Sequence, residues 1–397
     1  MAASPSPPPS PDSPVSSARE FIVPANQAGV ARAAQLLGRG KLVVLPTETV
    51  YGIAVNLQSA EARRSARAYK SRGMGTTEGS SPSPWVLHVA RPEDVLRWVP
   101  GLSALGQRLI SKALPGPVAF QIKLTAADEA QARQRLGDAA DETISDGFLS
   151  IRCPELVQTQ EVLAQVDAPV AIIGAGTATR PGVFEVQELP ETLFAEDGGE
   201  VPALALDAGP TRYRRSSTVV RIEGERYSIV RGGVIDDRII HKLAELTVLF
   251  LCSGNTCRSP MAAALAARQL ADRLGIAPED LALRHIQVIS AGLHASKGMR
   301  AALEAMDAVK ELGGELRTHV SQPATPELLR RADVIYTMTT AHREEVLDLV
   351  PGAERKTFRL DPEGDVADPI GSNLAVYREV ASRLNTLLQQ RLGELAV

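Results

Sequence analysis

The feature that most constrains this chain is Cys252-Ser-Gly-Asn-Thr-Cys-Arg258-Ser259, which leaves the apolar stretch Thr247 to Leu251 and runs directly into a helix opening at Pro260. An apolar strand, a tight loop and a helix in immediate succession demand an α/β layer. A loop closing onto a helix N-terminus points several backbone N–H groups inward, and the helix dipole adds positive potential, so the loop forms an anion cradle. A phosphoryl group fits it. The same field, with Arg258 beside it, favours the thiolate of Cys252 and hence a nucleophile. The planar fork of Arg258 can hold phosphoryl oxygens as charge spreads during transfer. Ser259 can donate a hydrogen bond to the thiolate. Gly254 and Asn255 are residue types that tolerate the positive φ a tight cradle requires. Ser253, Thr256 and Cys257 complete the phosphate-binding loop.

A chain of 397 residues exceeds what one hydrophobic core organises, so at least two domains are expected. The predicted division is a Pro/Ser-rich disordered tail over 1–18, a first domain over 19–242 and a second over 243–397. The second boundary follows Gly232-Gly233 and the charged amphipathic stretch Asp236 to Glu245. In the first domain, helical periodicity from Val30 to Leu37 precedes a strand, Leu42 to Leu45, and then a Pro46-Thr-Glu-Thr turn. In the second, apolar strands (Ile286 to Ile289, Val334 to Met338) alternate with helical segments (Met261 to Leu274, Met299 to Leu312, Val376 to Leu392). That alternation predicts a parallel sheet covered by helices on both faces. The fold class is therefore α/β throughout.

The formal charge of −4 excludes a global positive field, so any RNA contact must be local. Arg63-Arg64-Arg67-Lys70-Arg72 and Arg212-Arg214-Arg215 are the candidates, and a solvated face is the plainer reading of each. Three cysteines make neither a disulfide scaffold nor a zinc pair, so no metal site is expected and a reducing compartment fits. The first residues carry neither a signal nor a transit pattern, and no stretch approaches the roughly 18 apolar residues of a membrane span. A cytoplasmic location follows; nothing in the sequence sets an oligomeric state.

From 246 to 397 the chain resembles the low-molecular-weight protein tyrosine phosphatase family. The resemblance rests on the Cys252 loop together with Ser290-Ala-Gly292, Ala332-Asp333, Met338-Thr339 and Asp368-Pro369. It implies a three-layer α/β/α domain, a phosphocysteine on Cys252, no cofactor, and Asp368 as general acid and then base. Such a residue is chemically necessary, because the leaving group needs a proton and the attacking water must lose one. Within the family, Thr256 and Asp365-Val-Ala-Asp-Pro-Ile-Gly resemble the protein arginine phosphatases. Ala263 stands where the family commonly has Glu, and Ile370 where tyrosine-directed members have an aromatic wall. Phosphoarginine or broad monoester hydrolysis on protein substrates is therefore expected over strict phosphotyrosine specificity. Cys257 reads either as a trap for oxidised Cys252 or as a small buried residue. Arsenate reduction would suit the same cradle but needs a resolving cysteine outside the loop, and only Cys153 remains.

From about 20 to 240 the chain resembles the YrdC/Sua5 family of threonylcarbamoyl-adenylate synthases, with a twisted mixed-sheet α/β fold. The matching order is Pro46-Thr-Glu-Thr-Val-Tyr-Gly52, Lys70-Ser-Arg72, Pro115-Gly-Pro117, Ile151-Arg152-Cys-Pro154, Pro169-Val-Ala171, Ser217-Thr-Val219 and Arg231-Gly-Gly-Val234. The resemblance implies that ATP, accompanied by Mg2+, condenses with L-threonine and bicarbonate in the route to threonylcarbamoyladenosine in tRNA. Lys70 and Arg72 would bind phosphates, Thr47 and Tyr51 would line the threonine and nucleotide pocket, and Arg152 and Ser217 would contact ligand. Two departures leave a binding module as the alternative. Gly174-Ala-Gly176-Thr177 replaces the family's Ser-x-Asn, with Thr177 or another hydroxyl left to compensate, and a Gly/Ser/Thr-rich insertion from Gly73 to Pro82 follows Arg72.

Overall fold

The computed structural model describes residues 21–73, 84–177, 179–190, 193 and 202–395. The tail expected over 1–18, the insertion beyond Gly73 and the side chain of Arg72 lie outside the described residues. The chain separates into two compact units, Met1–Leu243 and Ala244–Val397.

The first unit is built on one large mixed sheet. Its strands are β1 (Ile22–Pro24), β2 (Val43–Leu45), β3 (Gly52–Asn56), β4 (Val86–His88), β5 (Val118–Lys123), β6 (Ile144–Ser145), β7 (Phe148–Arg152), β8 (Val170–Gly174), β9 (Leu204–Asp207), β10 (Thr218–Glu223) and β11 (Arg226–Arg231). They lie in the order β1-β9-β2-β3-β8-β4-β7-β5-β10-β11, with β6 paired to β7. β2 and β3 run antiparallel with Val43 opposite Ala54, and every residue of both is buried. At the far edge β11 is largely exposed, and the turn into it uses Gly224 at φ +58. The predicted first helix spans Gln27–Gly38, capped by the Asn26 side chain, which accepts from the Gly29 N–H at 2.9 Å. Its periodicity buries Val30, Ala33 and Leu37 against Val43, Leu45 and Leu204.

The second unit is a three-layer α/β/α sandwich. Four parallel strands, β12 (Leu246–Cys252), β13 (Ile286–Gly292), β14 (Val334–Thr337) and β15 (Thr357–Arg359), lie in the order β13-β12-β14-β15. β12 is buried along its whole length, and its two-residue alternation splits it between two cores. Val248, Phe250 and Cys252 face the core that receives helices Arg258–Leu274, Leu303–Glu311 and Leu374–Gly393. Leu249 and Leu251 face the one that receives Leu329 and Val346 from helices Pro326–Arg331 and Thr340–Leu349. The nucleophile candidate is thus the last residue of a strand whose register is fixed from both faces. The expected Met299 to Leu312 helix begins only at Leu303, after Ala302 as its cap.

Leu384 is fully buried on helix Leu374–Gly393, whereas Leu303 is 73% exposed. Leu384→Ala should lower unfolding free energy by about 2–5 kcal/mol. Leu303→Ala should change it by less than about 0.5 kcal/mol in the same denaturant titration.

Candidate active sites

The turn after Cys252 depends on Asn255, which takes the left-handed conformation at φ +56 and is fully buried. Its amide nitrogen donates to Ser259 Oγ at 3.0 Å and Ser290 Oγ at 2.9 Å, while its Oδ1 accepts from the Gln322 N–H at 2.9 Å. The Asn255 carbonyl contacts His319 Nε2 at 2.8 Å, and its own N–H donates to Cys252 Sγ at 3.3 Å. Strain in the backbone is thus held by a set of side chains from three other segments. Ser259 Oγ lies 3.0 Å from Cys252 Sγ and 3.2 Å from the Ala291 carbonyl. Ser259 has a single proton, which the Ala291 carbonyl accepts, so the Cys252 sulfur at 3.0 Å competes with that carbonyl for it. Gly292 is required by this packing: a Cβ there would sit 2.5 Å from the Ser253 carbonyl oxygen.

Arg258 opens the helix that follows, and its side chain is 6% exposed. Nη1 donates to the Val366 carbonyl at 3.2 Å and Nη2 meets Asp368 Oδ2 at 2.5 Å. The loop carrying Asp368 is fixed by the Val366 N–H donating to the Met338 carbonyl at 2.8 Å and by Asp365 accepting from the Thr340 N–H at 2.9 Å. Asp368 itself is 41% exposed, so its carboxyl reaches solvent at the same place where Arg258 is held. Asp368 is therefore joined to Arg258, which ends the loop that begins at Cys252 and contains Ser253, Gly254, Asn255, Thr256 and Cys257, with Ser259 returning to the Cys252 sulfur. The Cys257 thiol points elsewhere, 3.2 Å from the Tyr377 hydroxyl, and the Thr256 carbonyl accepts from the Ala302 N–H at 3.0 Å. Ile370 is 69% exposed, which leaves no aromatic wall at that position.

In the first unit, Thr47, Lys70, Arg152 and Ser217 line a single cavity of about 290 Å3. Arg231 joins them, donating to the Ser217 carbonyl at 3.0 Å. Burial pulls the Lys70 ammonium below the usual lysine range, and burial followed by repulsion from Arg152 does the same to Arg231. Three cations facing one cavity suit a polyphosphate. Arg152 is anchored by an ion pair with Glu48, both nearly fully buried, and donates to Thr49 Oγ1 at 3.1 Å and to the Gly116 carbonyl at 3.3 Å. Glu48 in turn accepts from the Glu155 N–H at 2.9 Å. His88 shares the lining, pushed down to about 3 by burial and by Arg152, and so is neutral.

Tyr51 differs from its expected role. It is not among the residues lining this cavity: it is fully buried and its hydroxyl donates to the Gly209 carbonyl at 2.7 Å. Thr47 lines the cavity, yet its hydroxyl closes the local turn by donating to the Val50 carbonyl at 2.7 Å. Gly174 and Gly176 form a wall without side chains, and a Cβ on Gly176 would collide with the Arg180 and Pro181 carbonyls. Thr177 accepts from the Arg180 N–H at 3.2 Å and is not part of the lining, so it does not replace the missing polar pair. The basic clusters weighed as RNA contacts are partly paired: Arg67 with Glu142, Arg212 with Glu155 at 2.7 Å and Arg214 with Glu185 at 2.8 Å. Glu48 and Arg231 lie inside the sequence motifs, which do not by themselves mark either as a residue of the cavity; His88, His319 and Gln322 carry no signal in the sequence. Among the described residues no cluster of three His, Cys, Asp or Glu could hold a metal, and no helix is long and apolar enough to cross a membrane.

Two family models match the chain. A family model for low molecular weight phosphotyrosine protein phosphatase matches residues 247–396, and the Sua5/YciO/YrdC model, described as telomere recombination, matches residues 35–233. A protein-arginine-phosphatase of Geobacillus stearothermophilus is 38% identical over 152 residues, which are 37% of this chain and 93% of that protein. A "Putative threonylcarbamoyl-AMP synthase" of Mycobacterium leprae is 28% identical over 219 residues, 55% of this chain and 87% of that protein. Among solved structures, the YwlE arginine phosphatase from Geobacillus stearothermophilus is 35% identical, covering 38% of this chain and 92% of that one, with a TM-score of 0.33.

Breaking the buried pair with Glu48→Ala leaves Arg152 uncompensated and should destabilise the first unit by about 3–5 kcal/mol in a denaturant titration.

Proposed function

The chain belongs to the low-molecular-weight phosphatase family through its second unit and to the Sua5/YciO/YrdC family through its first, and on that basis we propose a bifunctional enzyme. The second unit hydrolyses phosphorylated proteins, with phosphoarginine preferred. The observation that carries this reading is one loop that sets Ser259 against the Cys252 sulfur and Arg258 against Asp368. The Cys252 thiolate attacks phosphorus while Arg258 and the loop N–H groups hold the oxygens. The bond from phosphorus to the leaving nitrogen or oxygen breaks, and Asp368 supplies its proton. Water then attacks the phosphocysteine, gives its proton to Asp368 and releases phosphate and the thiolate. Preference for a guanidino leaving group is supported by Thr256 and by the exposed Ile370 in place of an aromatic wall. Arsenate reduction is disfavoured, because Cys153 is fully buried in the first unit and its thiol is pushed up to about 12, chiefly by burial.

The first unit, in this proposal, binds ATP through Lys70, Arg152 and Arg231 and joins its AMP moiety to a carbamate formed from L-threonine and bicarbonate, releasing pyrophosphate. Magnesium would arrive with the nucleotide and neutralise its phosphates. The glycine wall at Gly174 and Gly176 favours a second reading, a nucleotide-binding module without synthase chemistry.

Cys252→Ser should reduce phosphatase kcat by at least about a thousandfold. Asp368→Asn should reduce it by roughly a hundredfold or more. The wild-type protein should show the higher kcat/KM on phosphoarginine peptides; faster phosphotyrosine hydrolysis would reverse the substrate preference. For the first unit, threonine-dependent pyrophosphate release from ATP and bicarbonate should be present and should be lost in Lys70→Ala. Its absence from protein with an active phosphatase would establish the binding reading instead.

A further inference from the structure

His342 is buried, 6% exposed, in the first turn of helix Thr340–Leu349, whose cap, Thr339, accepts from the His342 N–H at 3.2 Å. Its Nε2 lies 2.9 Å from Ser253 Oγ, the hydroxyl immediately after the nucleophile. Its Nδ1 is sealed from solvent and has no partner among the described residues. Burial and the Arg258 guanidinium hold the ring neutral, down to about 4, against the opposing pull of Asp368 and Asp365.

A neutral imidazole carries one N–H and one lone pair. With the proton on Nδ1, the site would bury a donor without an acceptor, among the rarest and most costly defects in a folded protein. With the proton on Nε2, only a lone pair is unmatched, and the N–H is satisfied by Ser253 Oγ. Ser253 then accepts from His342, and no other hydrogen bond engages its hydroxyl proton among the described residues. Backbone position is fixed as well: the Ser253 carbonyl accepts from the His294 N–H at 2.9 Å.

We propose that His342 is a positioning residue that acts through Ser253, accepted by its hydroxyl oxygen so that the Ser253 proton is donated to an oxygen held in the Cys252 loop. This rests on the phosphatase reading of that loop and adds a donor that lies outside the loop backbone and Arg258. The helix Thr340–Leu349 is thereby part of how the loop grips an oxyanion.

The test uses the full chain with Ser253→Ala, His342→Phe, the double variant and His342→Gln, assayed on an aryl phosphate beside Cys252→Ser. Each of the first two should lower kcat/KM roughly ten- to hundredfold, the worth of a hydrogen bond to a charged group. The double variant should be no worse than Ser253→Ala, and His342→Gln, which keeps a donor at the Nε2 position, should recover most of the activity. Losses that multiply in the double variant, or full activity in Ser253→Ala, overturn the proposal. Calorimetric titration of the same proteins with orthovanadate reads loop affinity without turnover and should show the same non-additive loss. If the wild type turns over nothing, the phosphatase reading fails while the vanadate titration still decides the role of His342.

Discussion

The shape of the loop that begins at Cys252 depends on the amide of Asn255. A left-handed residue that is not glycine is held in place because both ends of its side chain, its carbonyl and its N–H are all bonded. The partners come from the helix after the loop, from β13 and from the segment around His319, so the loop's shape is determined by the packed domain rather than by its own sequence. Asparagine suits the position twice over, tolerating positive φ and offering two donors and an acceptor in one plane.

The first unit uses a different constraint. Arg152 ends β7 and Glu48 sits in the turn after β2, and their buried pair joins segments far apart in sequence at the edge of the cavity. A charge so enclosed is stable only with all its partners present, and Thr49, Gly116 and the Glu155 N–H supply them. The cation facing the cavity is therefore held in a fixed place before any ligand arrives.

Much of this was legible in the chain. The strand, loop and helix around Cys252 are local in sequence, and burial on both faces makes β12 a continuous apolar run, so their order and roles could be read directly. The helix Gln27–Gly38 was equally plain, because its apolar stripe recurs with helical period. β15 escaped notice: three residues including Arg359 are too short to show a period. The direction of Tyr51 was not legible, because a motif fixes which residue is present and not which way its phenol points; the Gly209 carbonyl accepts its hydroxyl. His342 and His319 were invisible because each meets the loop only through tertiary packing.

The contact between Arg258 and Asp368 sets what any anion entering the loop must overcome. The guanidinium already faces a carboxylate, so an oxyanion arriving there competes with an internal anion for the same donors. Asp368 is thus a tethered counter-ion, and the fork cannot turn wholly to another anion without loosening its hold on the loop that carries that carboxyl.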